Sequence, residues 1–320
     1  MTAVPHRRSG QIGVVRGLIN DGCPFRRDQA AALGINRKQL TAAAQGGRLR
    51  RPFLGVYVDA AMPDSRKQRL DCLRLVLPSH GVVCLRSAAW VWKVNAFGPD
   101  EQDLLVPEYV VEHHRGRMRQ SAVRVREATF GPEDVIEIDG IRVTTERRPA
   151  MDLARRLRRP MALAALDAFT HRGLVTVEQL RADLDGVYRF PGVKQARELI
   201  ALTEPLTESP GESWLRLRVI DAGFPRPEPQ ISICDRGGRE VSRIDLGYRE
   251  RRLGLEYDGL VYHDDPEARR HDEMRRARLR SRFGWEVHGF DRGHVLGRKP
   301  TLELVVGDLL GVAPRLPRRW

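Results

Sequence analysis

Residues 243–263 read RIDLGYRERRLGLEYDGLVYH and contain two alternating runs separated by a charged turn. In the first run the apolar residues point to one side of a strand, which leaves Asp245 on the other side. In the second run Glu256 and Asp258 share the side opposite the apolar residues. If the two strands pair near these positions, three carboxylates converge on one face of a sheet.

Converging carboxylates repel one another unless a positive charge lies between them. Hard divalent cations prefer oxygen ligands, so the pattern predicts Mg²⁺ or Mn²⁺ bound by Asp245 and Glu256, and phosphodiester hydrolysis as the chemistry. An isolated acid on a strand is more often a solvated surface residue, and that alternative stays open here. The residues expected to carry catalysis are Glu212, Asp245, Glu256, Asp258 and His263, the last acting on water from a following loop.

The flanking sequence extends this pattern. A helix is expected to begin at Pro210, and strands over 230–234, 241–248 and 252–257 are expected to form an antiparallel meander. A basic helix follows, in which Asp272 and Arg276 are expected to pair along the helix while other arginines meet DNA.

Four segments within 206–312 together resemble the very-short-patch-repair (Vsr)-like branch of the PD-(D/E)XK nucleases. They are ESPGESWLRL at 208–217, RIDLGY at 243–248, LGLEYDGLVYH at 253–263 and FGWEVHGF at 283–290. The resemblance implies a restriction-endonuclease-like α/β domain in which Asp245 and Glu256 bind metal. Asp258 stands where the wider superfamily has a lysine, and in this branch His263 is the candidate to assist the water instead.

Residues 1–60 predict two short helices broken by Gly-Ile-Asn at 34–36, followed by two apolar-alternating runs. This spacing is typical of a helix-turn-helix with a wing, and Asn36 is a good N-cap for the second helix. The segments ALGINRKQL at 32–40 and GRLRRPFLGVYV at 47–58 resemble the N-terminal winged-helix domain of AbiE-type antitoxins. A small helical cap with a charged, solvated face is the alternative.

The winged-helix interpretation assigns DNA contacts to six residues. Base contacts in the major groove are expected from Arg37, Lys38 and Gln39, and phosphate contacts from Arg48, Arg50 and Arg51.

The remaining stretches are predicted to organise the chain rather than to carry chemistry. Residues 61–145 are expected to form a mixed α/β middle domain, and LRSAAWVW at 85–92 resembles the middle part of AbiE-type antitoxins. Residues 146–205 show helix-period apolar positions and predict a separate helical connector. Residues 313–320 are expected to be a loose basic tail.

The composition favours an anionic partner. The formal net charge is +13 and the pI is near 10.3, which points to nucleic acid, with DNA as the expected partner. Lysine occurs at only five positions, so codon bias toward arginine explains part of the pattern. No apolar run approaches a membrane span and no export signal is evident, so we expect a cytoplasmic protein that does not enter membranes.

Together these features predict a multidomain α+β or α/β protein that acts as a metal-dependent DNA endonuclease in repair or defence. In that interpretation the N-terminal winged helix tethers the enzyme to duplex DNA. The alternative from another class is a DNA-binding transcriptional regulator or antitoxin that retains a catalytically inactive nuclease fold as a scaffold.

Overall fold

The computed structural model describes residues 22–78, 80–96, 106–111, 124–127, 130–131, 133–185, 190–259 and 266–320. The chain divides into two compact units, 1–149 and 150–320, instead of the four domains and tail expected from sequence. Both units combine helices with a β-sheet, which confirms the α+β class at this level. Within the described part of the chain, every helix is too short or too polar to span a lipid bilayer.

The first part of the N-terminal unit is a helix pair followed by a small antiparallel sheet. Its elements are β1 (Phe25–Arg26), α1 (Arg27–Ala32), α2 (Arg37–Gln45), β2 (Leu49–Phe53) and β3 (Val56–Asp59). The strands lie in the order β1-β3-β2, and Gly55 takes a φ of 81° in the turn between β2 and β3. Apolar side chains from both helices and all three strands bury one another in a common core.

The rest of the N-terminal unit contains a five-stranded mixed sheet with the order β6-β5-β4-β8-β7. Its elements are α3 (Arg66–Arg74), β4 (Val82–Val83), α4 (Leu85–Val91), β5 (Glu108–Val111), β6 (Arg124–Glu127), β7 (Val135–Ile138) and β8 (Ile141–Thr144). The Trp92 indole N–H donates to the carbonyl of Thr144 at 3.0 Å, which fixes the end of α4 against β8. The segment LRSAAWVW therefore packs within this unit, as expected.

A layer of helices opens the C-terminal part of the chain. After α5 (Arg147–Arg156) come α6 (Arg159–His171), α7 (Val177–Asp185), α8 (Val193–Leu202) and α9 (Pro210–Asp221). A fully buried ion pair, with 2.6 Å between Asp167 Oδ2 and Arg216 Nη2, joins α6 to α9. The predicted connector is therefore not separate, because its helices from residue 150 onward belong to the same compact unit as α9.

The sheet of the C-terminal unit confirms the predicted meander. It comprises β9 (Glu228–Cys234), β10 (Glu240–Tyr248), β11 (Leu253–Asp258) and β12 (Glu286–Asp291). The first three strands are antiparallel neighbours, whereas β12 pairs in parallel with β11 after a helical crossover. The crossover is α10 (Pro266–Arg278) with a π-helical turn over Leu279–Phe283, and α11 (Arg292–Leu296) and α12 (Thr301–Leu310) follow the sheet.

The end of the chain differs from the loose tail that the sequence predicts. The backbone N–H of Arg315 donates to the carbonyl of Ala222 at 2.8 Å, and the indole N–H of Trp320 donates to Asp221 Oδ2 at 2.7 Å. The guanidinium of Arg218 lies 5.1 Å from the centroid of the Trp320 ring. These contacts hold residues 315–320 against the C-terminal end of α9.

Candidate nucleic-acid interface and carboxylate cluster

Helix α2 begins with a reciprocal cap that uses one of the predicted DNA-binding side chains. Asn36 Oδ1 accepts from the backbone N–H of Gln39 at 3.0 Å, and Gln39 Oε1 accepts from the backbone N–H of Asn36 at 2.7 Å. This capping box satisfies backbone donors at the start of the helix. The Gln39 side chain is therefore engaged in the cap, in contrast to the free base contact expected from sequence.

The outer face of α2 carries the exposed polar residues of this helix. Arg37 and Lys38 are exposed, and Thr41 and Gln45 continue the same face at helical spacing. The opposite face is buried through Leu40 and Ala43. Sequence reasoning missed Thr41 and Gln45, although their positions four and eight residues after Arg37 were the available signal.

The arginines in and just before β2 divide into exposed and engaged side chains. Arg48 and Arg51 are exposed. Arg50 instead turns inward, where its Nη2 donates to the carbonyl of Met62 and to Gln68 Oε1, both at 2.6 Å. The sequence analysis assigned Arg50 a phosphate contact. In the structure its guanidinium instead holds β2 against the following loop and α3.

Glu212 lies in the first turn of α9 and is 7% exposed. Its Oε2 accepts from the backbone N–H of Glu208 at 3.0 Å and from the Gln230 side-chain amide at 2.8 Å. Ser209 caps the same turn through the backbone N–H of Glu212 at 3.2 Å. Glu212 thus links the start of α9 to β9.

Asp245 in β10 is the most perturbed acid of the cluster. Its Oδ2 accepts from the backbone N–H of Tyr257 at 3.0 Å, which links β10 to β11. Burial, followed by the nearby charge of Glu212, raises the pKa of Asp245 from its ordinary value of 3.8 to about 7. The carboxyl therefore holds its proton in the folded protein at pH values where the unfolded chain has lost it.

This pKa shift makes the stability depend on pH. The folded state binds more protons than the unfolded state between pH 4 and 7, so this contribution is full below pH 4 and is lost as the pH rises through 7. We expect Asp245→Asn to raise the free energy of unfolding by about 1–2 kcal/mol at pH 8 and to flatten its pH profile. Urea unfolding at pH 5 and pH 8 measures both effects. The exposed-acid variant Asp308→Asn is the control, and an equal gain in both variants contradicts this assignment.

Glu256 in β11 is neutralised by arginine. Arg275 donates from Nη1 to Glu256 Oε1 at 2.9 Å and from Nη2 to Oε2 at 2.6 Å, and Arg276 Nε adds a third contact at 3.3 Å. Glu256 itself is 5% exposed. The hydrogen bond to Glu256 raises the pKa of Arg275, so the guanidinium keeps its positive charge.

Asp258 and Asp272 complete this ion-pair network. Arg276 Nη2 lies 2.6 Å from Asp258 Oδ1 and 2.8 Å from Asp272 Oδ2, and the second of these is the helical pair expected from sequence. Asp272 also pairs with Arg275 at 2.7 Å. Gly289 of β12 faces the network, and a Cβ at that position would come within 2.1 Å of Asp258 Oδ2. Two arginines and three acids therefore fill the space beside β11.

The predicted carboxylates do lie on neighbouring elements, but arginine supplies the positive charge for which the sequence analysis invoked Mg²⁺ or Mn²⁺. Among the described residues, no group of three or more His, Cys, Asp or Glu side chains is arranged to hold a metal ion. Arginine therefore occupies Glu256 in this structure, whereas metal binding by Asp245 and Glu256 stays a prediction. His263 lies outside the described residues.

A comparison with known protein families finds a match in the middle of the chain. Residues 81–202 match the family model of the AbiEi antitoxin C-terminal domain. The matched range includes LRSAAWVW at 85–92, which confirms the resemblance to AbiE-type antitoxins there. The match favours a DNA-binding antitoxin or regulator over the predicted endonuclease. The endonuclease prediction is therefore wrong, and the alternative from the sequence analysis is the better supported one.

Two curated relatives cover most of the chain. The uncharacterized proteins MT2308, from Mycobacterium tuberculosis strain CDC 1551 / Oshkosh, and Rv2248, from strain ATCC 25618 / H37Rv, are each 31% identical over 257 residues. Each match spans 79% of this chain and 89% of the relative. A crystal structure of the RV2827C protein from M. tuberculosis is 18% identical, with a TM-score of 0.32, and the match covers 63% of this chain and 80% of that one. The chain thus belongs to the same protein family as MT2308 and Rv2248, and its residues 81–202 are similar to the AbiEi antitoxin C-terminal domain.

Proposed function

We propose that this protein is a DNA-binding regulator of the antitoxin class that recognises duplex DNA at its own promoter. In this proposal α1 and α2 form a helix-turn-helix, α2 enters the major groove, and the β2–β3 hairpin acts as a wing. The observation that carries the proposal is the outer face of α2, where Arg37, Lys38, Thr41 and Gln45 stand exposed beside a buried opposite face.

The residues of this surface have distinct roles in the proposal. Arg37 and Lys38 suit the acceptor atoms of guanine in the major groove, whereas Thr41 accommodates several base edges. Arg48 and Arg51 contact phosphate and set the register without reading sequence. Arg50 acts indirectly, since its hydrogen bonds to Met62 and Gln68 position the strand that contains Arg51 and directly follows Arg48.

Two further properties support a regulator. The net charge of +13 attracts a polyanion at long range, and the matched domain model belongs to an antitoxin family. In the C-terminal unit, ion pairs with Arg275 and Arg276 occupy the carboxylates that a hydrolase would need free. We therefore propose that this unit is a scaffold and performs no hydrolysis.

Binding of the full chain to duplex fragments of its own promoter tests the proposal. We expect the double variant Arg37→Ala/Lys38→Ala to weaken specific binding by about 10- to 100-fold, because it removes direct base contacts. Fluorescence anisotropy at several salt concentrations gives both the affinity and its salt dependence. Arg51→Ala should weaken binding to the promoter and to unrelated duplexes alike. It should also reduce the slope of log affinity against log salt concentration by about 1.

The matched control is Arg74→Ala on α3, which removes one charge, an ion pair with Asp71 and a hydrogen bond to the carbonyl of Asp139. This variant should bind the promoter with an affinity within about twofold of that of the native protein, since long-range charge effects are screened at physiological salt. Equal losses in Arg74→Ala and in the α2 variant would mean that binding reflects total charge. In that case α2 is not the recognition helix.

A further inference from the structure

A groove of about 450 Å³ opens in the C-terminal unit between α10 and the start of β10. One wall is formed by Ser242 of β10, and the other by Arg278 at the end of α10. The π-helical turn after α10 adds Arg282 and Phe283. This groove involves neither the exposed face of α2 nor the acids Glu212 and Asp245.

The basic residues that line this groove differ in whether an acid neutralises them. His271, Arg278 and Arg282 lie seven and four residues apart, so they follow one face of α10 and its π-helical extension. Arg278 and Arg282 are exposed, and neither forms an ion pair with an acid in the described ranges. Arg275 also lines the groove, but Glu256 and Asp272 already neutralise it. The unpaired charge of the groove therefore comes from Arg278 and Arg282.

The groove also presents apolar surface and hydroxyls. Met274 is 62% exposed, and Phe283, which lines the same groove, is partly exposed. Ser242 and Ser281 contribute hydroxyl groups that donate or accept hydrogen bonds. A flexible thioether and an aromatic ring at one site form a surface suited to a flat, apolar partner.

We propose that this groove binds a single strand of nucleic acid. Arg278 and Arg282 contact consecutive phosphates, and a base stacks on Phe283 and Met274. Proteins that hold single strands combine a basic groove with aromatic platforms in this way. A duplex backbone offers phosphates but keeps its bases paired, so Met274 and Phe283 would have no partner. An inorganic anion would leave most of the volume unfilled.

The proposal goes beyond duplex recognition by α2 and is tested separately from it. The assay measures fluorescence anisotropy of the full chain with labelled dT12, rU12 and a duplex of unrelated sequence. All variants carry Arg37→Ala/Lys38→Ala, which reduces the background of nucleic-acid binding through α2. We expect Arg278→Ala and Arg282→Ala each to raise the Kd for the preferred strand about fivefold or more, and Phe283→Leu to raise it about threefold.

The matched control is Arg280→Ala, in the same turn. Arg280 is exposed and carries the same charge, but its side chain does not line the groove. It should change the Kd for the single strand by less than about twofold. Equal effects of Arg278→Ala and Arg280→Ala, or equal affinity for dT12, rU12 and the duplex, would overturn the proposal. Tighter binding of either single strand supports it, and the stronger one identifies the source as DNA or RNA.

Discussion

Replacement of Arg216 by methionine is expected to lower the free energy of unfolding by about 3–5 kcal/mol, because it leaves Asp167 as a buried charge without its counterion. The side chains of Asp167 and Arg216 are 1% and 0% exposed. The other oxygen of Asp167 accepts from the backbone N–H of Glu204 at 2.8 Å. The carboxylate therefore connects α6 with both α9 and the segment that precedes it.

Urea unfolding of the full chain, followed by circular dichroism, measures this loss. The control is Arg243→Met, whose ion pair with Glu208 spans 2.9 Å between side chains that are 47% and 42% exposed. Exposed pairs contribute little, so this variant should lose less than about 1 kcal/mol. The double variant Asp167→Leu/Arg216→Met should recover part of the loss because no unpaired charge remains. Similar losses in the two methionine variants would contradict the prediction.

Glu256→Gln is expected to lower the free energy of unfolding by about 2–3 kcal/mol, because it removes the negative charge between Arg275 and Arg276 and replaces one acceptor oxygen with an amide donor. The loss is smaller than for Arg216 because Arg275 and Arg276 are 36% and 23% exposed and reach water. The sign is diagnostic. A cluster dominated by repelling carboxylates would instead gain stability when one negative charge is removed.

Thermal and urea unfolding at pH 7.5 would give this sign directly. Glu273→Gln on α10 is the matched control, since Glu273 is exposed and has no ion pair within the described residues. Its effect should stay within about 0.5 kcal/mol. If Glu256→Gln is more stable than the native protein, then the arginines do not neutralise the cluster and the structural interpretation fails.

The sheet of the C-terminal unit was predictable because its strands alternate with a period of two, and local alternation specifies which face is buried. Asp245 and Glu256 were accordingly assigned to neighbouring strands. What fills the space between acids was not predictable in this way. Arg275 and Arg276 reach Glu256 from a helix nineteen and twenty residues later, and that contact depends on how the crossover helix packs. Strand spacing contains no information about that packing.

The N-terminal unit gives a similar lesson on a smaller scale. The cap at Asn36 was predictable, since it is a local preference for short polar side chains at helix starts. The inward turn of Arg50 was not, because the pairing of β2 with β3 shifts register between Arg50 and Phe53. A shift of this kind interrupts simple alternation. Its partner Gln68 also lies eighteen residues away, beyond any local pattern.

Gly289 lies where β12 meets the arginine and carboxylate network beside β11. It pairs with Glu256 across the parallel strands, and any side chain there would collide with Asp258 and with the guanidinium of Arg276. A residue with a Cβ at position 289 therefore requires the side chains of Asp258 and Arg276 to shift, which disturbs the ion pair that joins them at 2.6 Å. The missing side chain in β12 thus leaves the room in which the ion pair beside β11 forms.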